Sequence, residues 1–103
     1  DELKEYIQGN IQYTLDYFKE YLPKLHMYRP EGTYLMWFDC SELPLTPEER
    51  ERWLLNDAKL WLDSGAMFGK DGEKFERINV ACPRAILTEG LEALRRAYVA
   101  KGF

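Results

Sequence analysis

The 103-residue chain has few of the residues that carry chemistry by themselves. It holds one histidine, His26, and two cysteines, Cys40 and Cys82. No Cys-x-x-Cys spacing occurs, so the sequence offers no metal-ligand set. Two thiols could form one disulfide in principle, but in a chain with a cytosolic character they read as reduced. Neither has an activating motif beside it, which makes both inert thiols. His26 has no serine, cysteine or acid at motif spacing. It reads as structural, because a general base needs a positioned second group. No apolar run approaches the roughly 20 residues of a membrane span. No signal peptide is visible, so a soluble cytoplasmic protein is the default expectation. No basic stripe with interleaved aromatics exists, which argues against nucleic-acid binding. There is no repeat, no low-complexity tract and no linker, so one small domain is expected over 1–103.

What is present suits a packed core: 46% hydrophobic and 15% aromatic residues. Net charge is −4 and uneven, with acidic segments at 1–22 and 42–63. Residues 70–103 carry seven Lys and Arg against five acids, a slight excess suited to an anionic ligand. The chain begins at Asp1, and its helical pattern is running by Leu3, which reads as an excerpt of a longer polypeptide.

Leu3, Ile7, Ile11, Leu15, Phe18 and Leu22 make an apolar stripe that predicts a helix over 2–22, ended by Pro23. Tyr6, Tyr13 and Tyr17 make a second stripe, roughly 120° away at about 100° per residue. Either these tyrosines are wet at their hydroxyls, or they meet a domain outside the chain. Lys24 to Arg29 and Thr33 to Phe38 predict two strands around the turn Arg29-Pro30-Glu31-Gly32. The second is apolar on both faces, which predicts cover on both sides. Thr46-Pro47-Glu48-Glu49 predicts a capped helix start, with Trp53, Leu54 and Ala58 inward. Gly65 to Gly72 is a glycine-punctuated loop, in which glycine more often means tight turning than ligand approach. Phe75 to Ala81 predicts a strand. Pro83 then opens a last helix with Ile86 or Leu87, Leu91, Leu94 and Tyr98 inward, and Gly102 stops it. The sum is an α+β layer: a small, mainly antiparallel sheet with helices on one side.

Phe75, Arg77, Asn79 and Ala81 share one strand face, since side chains repeat every second residue. Arg77 offers a rigid, permanently charged fork of donors that matches a carboxylate. The plainer reading pairs it with a nearby acid such as Glu76 or Asp71. Asn79 either supports Arg77 or caps neighbouring backbone. Arg84, beside the helix start, reads as a surface ion pair. Tyr34 and Trp37 read as core aromatics, though Tyr34 could reach a ligand.

Three spaced motifs carry a resemblance. Pro30-Glu31-Gly32-Thr33-Tyr34-Leu35-Met36-Trp37-Phe38-Asp39 looks like the "P-x-G-T-Y-L-x-W-x-D" strand of cystathionine β-lyases and related C–S lyases. Gly65-x-x-Phe68-Gly69-x-x-Gly72 and Arg77-x-Asn79-x-Ala81-x-Pro83-Arg84 are similar to that subgroup's later signatures, in the same order. Over roughly residues 30 to 98 the chain thus resembles the C-terminal small domain of pyridoxal-phosphate (PLP) aminotransferases of fold type I. The resemblance implies that Arg77 binds the substrate α-carboxylate, with Asn79 as possible support. It places a short strand at Lys59 to Leu62 and ends the preceding helix near Asp57. It implies a shaping role at the cleft entrance for the Phe68-Gly69 loop. The parent would remove the Cα proton of an amino acid, with the PLP ring as electron sink. A lyase then expels a β-thiol and leaves pyruvate and ammonia, whereas a transaminase reprotonates the cofactor. The implied partners are a large PLP-binding domain, an amino-acid substrate and a second subunit of a homodimer. The lysines at 4, 19, 24, 59, 70, 74 and 101 lie outside anything resembling the cofactor-lysine segment. The expectation is therefore no catalytic, cofactor or metal residue in this piece, and no activity on its own. The alternative is a non-catalytic interaction module docking through the tyrosine stripe and the Trp37 strand.

Overall fold

The computed structural model describes residues 2–30, 34–57, 68–70 and 74–103, with backbone alone at 57 and 68–70. Helix α1 spans Glu2–Tyr21 and stops two residues before Pro23, with Glu2 and Glu5 in its first turn and Lys19 in its last. Both signs of charge suit the helix dipole. Strands β1 (His26–Met27) and β2 (Leu35–Asp39) follow, then helix α2 (Pro47–Arg52), which relaxes into a π turn at Trp53–Asp57. Strands β3 (Phe68–Lys70) and β4 (Phe75–Asn79) lead to helix α3 (Arg84–Ala100).

The sheet has the order β1-β2-β4-β3, and every pair is antiparallel. Two hairpins therefore lie side by side, joined through β2 and β4. Alternation along β2 and β4 divides the sheet sharply. Met36, Phe38, Ile78 and Val80 are buried under the helices together with Phe18, Leu22, Leu87, Leu91 and Leu94. Phe18 of α1 meets Phe38 of β2 at 5.0 Å between ring centroids. Leu35, Trp37, Asp39, Phe75 and Asn79 on the other face are only half-buried, and Arg77 is exposed. This is the expected α+β layer, with helices on one side. Among the described residues the two-sided cover expected for β2 is not seen, and the apolar residues at 35 and 37 lie outside the core.

Thr46 caps α2 as its sequence dictates. Its hydroxyl accepts from the Glu49 amide at 3.1 Å, and the Glu49 carboxylate accepts from the Thr46 amide at 2.8 Å. That second bond holds the Glu49 carboxyl below its ordinary range. Trp53 and Leu54 point inward, and the Trp53 indole N–H donates to the Ala97 carbonyl at 3.2 Å. Gly102 closes α3 at φ 80°, where a side chain would be strained. The turn lays Phe103 edge-on against Trp53 and Tyr98.

Three expectations change, and one open choice is settled. Leu3 is exposed at 69%, because the core begins further along α1, at Ile11. Ile86 is exposed and Leu87 takes the inward position. The tyrosine stripe is neither wet nor waiting for another domain over most of its length. Tyr17 is buried, Tyr13 shares a hydrogen bond with Thr88 of α3 at 3.0 Å, and the Tyr6 hydroxyl accepts from the Arg84 amide. Helix α3 supplies the second partner that a helix apolar on two sides requires, which removes half of the expected docking face. Finally, Phe68–Lys70 is a strand, not loop. Backbone pairing with β4 needs no side chain, so a glycine at its centre does not prevent it. The expected turn at 31–32, the expected strand over 59–62 and Ala58 fall outside the described residues.

Candidate functional site

Strand β4 sorts its side chains by parity. Glu76 and Ile78 enter the core, while Phe75, Arg77 and Asn79 stand on the open face. Glu76 meets Arg50 of α2 at 3.5 Å, with both side chains about 5% exposed or less. Glu76 therefore cannot be the partner of Arg77, which lies on the opposite side of the sheet. Asp71, the other acid considered, falls outside the described residues. Among the described residues the Arg77 side chain has no ion pair and no hydrogen bond.

The register fixes what surrounds it. Trp37 of β2 lies directly across from Arg77 on one side, and Gly69 of β3 on the other. Along its own strand it is flanked by Phe75, whose ring meets Tyr28 at 6.5 Å, and by Asn79. The Asn79 side chain is occupied, since its carbonyl oxygen accepts from the Ala81 amide at 2.9 Å. It thus caps the strand's exit, an Asx-type turn. Asp39 is also on this face. Its carboxylate accepts from the Ser41 amide at 2.7 Å, and bonding to Ser41 holds its carboxyl below the ordinary range. The indole N–H of Trp37 is buried and has no hydrogen-bond partner.

The remaining candidates separate from this centre. Among the described residues Arg84 is in no ion pair. It donates from Nε to the Asn10 side-chain oxygen Oδ1 at 2.7 Å, and its guanidinium lies over the Tyr13 ring at 4.7 Å. Asn10, which sequence reading passed over, also donates to the Val80 and Cys82 carbonyls at 2.8 and 2.9 Å. His26 is exposed and does have an acid partner, Glu42, brought to it by the turn after β2. Burial pushes the Cys40 thiol up to about 12 and raises Cys82 as well, so neither is poised as a nucleophile. Tyr34 is 47% exposed and is not core. With Leu3, Tyr6 and Pro83 it helps line a groove of about 540 Å³ between the start of α1 and the β4–α3 connection. Among the described residues no group of three or more His, Cys, Asp or Glu could hold a metal, and no described helix is long and apolar enough to cross a membrane.

Solved structures share this α+β fold. A PLP-bound chain of Clostridium difficile 630, assigned to the aminotransferases, is 43% identical with a TM-score of 0.81. The match covers 93% of this chain and 25% of that one. Cystalysin from Treponema denticola, whose structure contains pyridoxal 5'-phosphate, is 33% identical with a TM-score of 0.79, over 93% and 24% of the two chains. Among curated proteins, the cystathionine β-lyase PatB of Bacillus subtilis is 35% identical over 97 residues, which are 94% of this chain and 25% of the lyase. Its homologues are cystathionine β-lyases and PLP-dependent aminotransferases. No protein-family model matches the chain. The chain spans about a quarter of the length of the C–S lyases and aminotransferases it matches. Its α+β architecture is that of the corresponding quarter in these enzymes.

Proposed function

We propose that this chain is the small, substrate-carboxylate-binding domain of a PLP-dependent C–S lyase or aminotransferase that acts on amino acids. The observation that carries the reading is Arg77: a guanidinium in the middle of an open sheet face, without an acid partner among the described residues. Its fork accepts an α-carboxylate in bidentate fashion, which orients an amino acid by its fixed end. When bound in the whole enzyme, PLP supplies the electron sink for loss of the Cα proton. Arg77 serves a lyase and a transaminase alike. The exposed Tyr34 and the half-buried Trp37, within the motif that resembles C–S lyases, favour the lyase. In this reading the partners are the large domain of the same polypeptide and an amino-acid substrate, within a cytoplasmic homodimer. The chain alone is inactive.

The test is Arg77→Ala in the full-length enzyme. Losing one partner of a desolvated charge pair typically costs on the order of 2–5 kcal/mol. The expected outcome is a matching loss in kcat/KM for L-cystathionine. Arg77→Lys should recover only part of it, because an ammonium lacks the planar fork. Unchanged kcat and KM in Arg77→Ala would remove Arg77 from the site.

A further inference from the structure

We infer that Gly69 and Trp37 form a one-sided slot for Arg77, in which Gly69 is a specificity-determining gap and Trp37 a positioning wall. The inference rests on the reading of Arg77 as the carboxylate ligand. It starts from the register: on its two flanking strands Arg77 faces Trp37 and Gly69. Residues directly opposite in an antiparallel pair project from the same face, with Cβ atoms roughly 4.5–5.5 Å apart. Any side chain at position 69 would therefore rise beside the guanidinium. Glycine puts no side chain there, and this placement in a strand interior otherwise costs stability. The β2 flank is opposite in character. Trp37 is half-buried there, and its ring nitrogen is fully enclosed.

The asymmetry has a chemical consequence. A planar guanidinium binds a carboxylate best edge-on, so the approach direction must be fixed as well as the charge. Among the described residues, an indole on one side and a bare backbone on the other leave one approach, over β3. The buried indole N–H without a partner fits a residue kept for its ring and not for its donor, since an unsatisfied buried donor is destabilising. Asn79 and Phe75 flank Arg77 along β4, and neither closes the β3 side.

The experiment uses the full-length enzyme with L-cystathionine as substrate. 3-Phenylpropanoate and its isosteric amide serve as non-reacting probes. Gly69→Val is expected to raise KM and the inhibition constant of the carboxylate by roughly tenfold or more while kcat stays within about twofold, the signature of lost ground-state binding. Gly69→Ala should fall between. The amide, which cannot use the charged fork, should respond little. Trp37→Ala should raise KM in the same direction, and Trp37→Phe should restore most of that loss. Thermal unfolding of each variant separates a packing defect from a slot defect. Normal carboxylate binding in a folded Gly69→Val enzyme overturns the slot, as does failure of Trp37→Phe to restore what Trp37→Ala loses. Arg77→Ala run beside them separates the two ideas: if it alone weakens binding, the slot fails and the carboxylate role stands. If it changes nothing, the carboxylate role fails too.

Discussion

Asn10 holds together the exit of the strand that bears Arg77. It lies in the middle of α1, is fully buried, and spends its amide on three partners seventy or more residues away. Two are carbonyls of the β4–α3 connection, and the third is the Arg84 side chain. A buried group left without its bond costs about 1–3 kcal/mol. Asn10→Ala removes three such bonds at once, so urea unfolding should show a loss at or above the upper end of that range. Asn10→Asp should be worse at neutral pH, because it turns a donor toward two carbonyls into an acceptor. A loss within the usual surface range of about 0.5 kcal/mol would mean that water replaces the amide without cost. Nothing near Asn10 in the sequence announces this role, since all its partners are distant. Arg77 and Asn79 were legible because their alternation is local and because a motif surrounds them. The Asn79 cap is legible for the same reason, its acceptor and donor being two residues apart.

Local elements read well from sequence, and elements made by pairing read poorly. The capping box of α2 is complete within four residues, and the structure forms both of its bonds. Strand β3 was missed because its strand character comes from β4, six to ten residues away in register, while its own glycine argues for a turn. The Arg50–Glu76 pair is another product of assembly. Arg50 sits in a short, highly charged helix, and only packing shows that it turns inward to β4. Breaking such a pair from one side typically costs about 3–5 kcal/mol, while replacing both members by apolar groups is often neutral or better. Arg50→Met should therefore destabilise the chain strongly, and adding Glu76→Leu should recover much of the loss. A double variant as unstable as the sum of the singles would show that the two charges are held by other partners and not by each other. Because Glu76 precedes Arg77 on the strand, the same pair fixes which face of β4 presents the guanidinium.

At the scale of the molecule, the described residues form one core and leave one sheet face without a helix over it. The amphipathic stripes of α1 and α3 made the layer legible in advance. The strand order was not legible, since β2 and β4 pair across some forty residues. Helix α3 covering the tyrosine stripe likewise depends on the two ends of the chain meeting. The fully buried residues of β2 and β4 lie on the helix side, so the chain can fold around its own core and still leave Arg77 exposed. The same division bears on the cofactor. A lysine that bonds covalently to PLP is typically desolvated in its site. Lys4, Lys19, Lys74 and Lys101 are exposed and Lys24 is half-exposed. The isolated 103-residue chain should therefore unfold cooperatively in urea, yet develop no stoichiometric protein-bound absorbance on titration with PLP. Borohydride treatment should fix no cofactor at a defined lysine. Slow, scattered modification of surface amines fits the expectation. One lysine trapped in full, with a saturable spectral change, would place a cofactor site within this chain and overturn the assignment of cofactor chemistry to the rest of the enzyme.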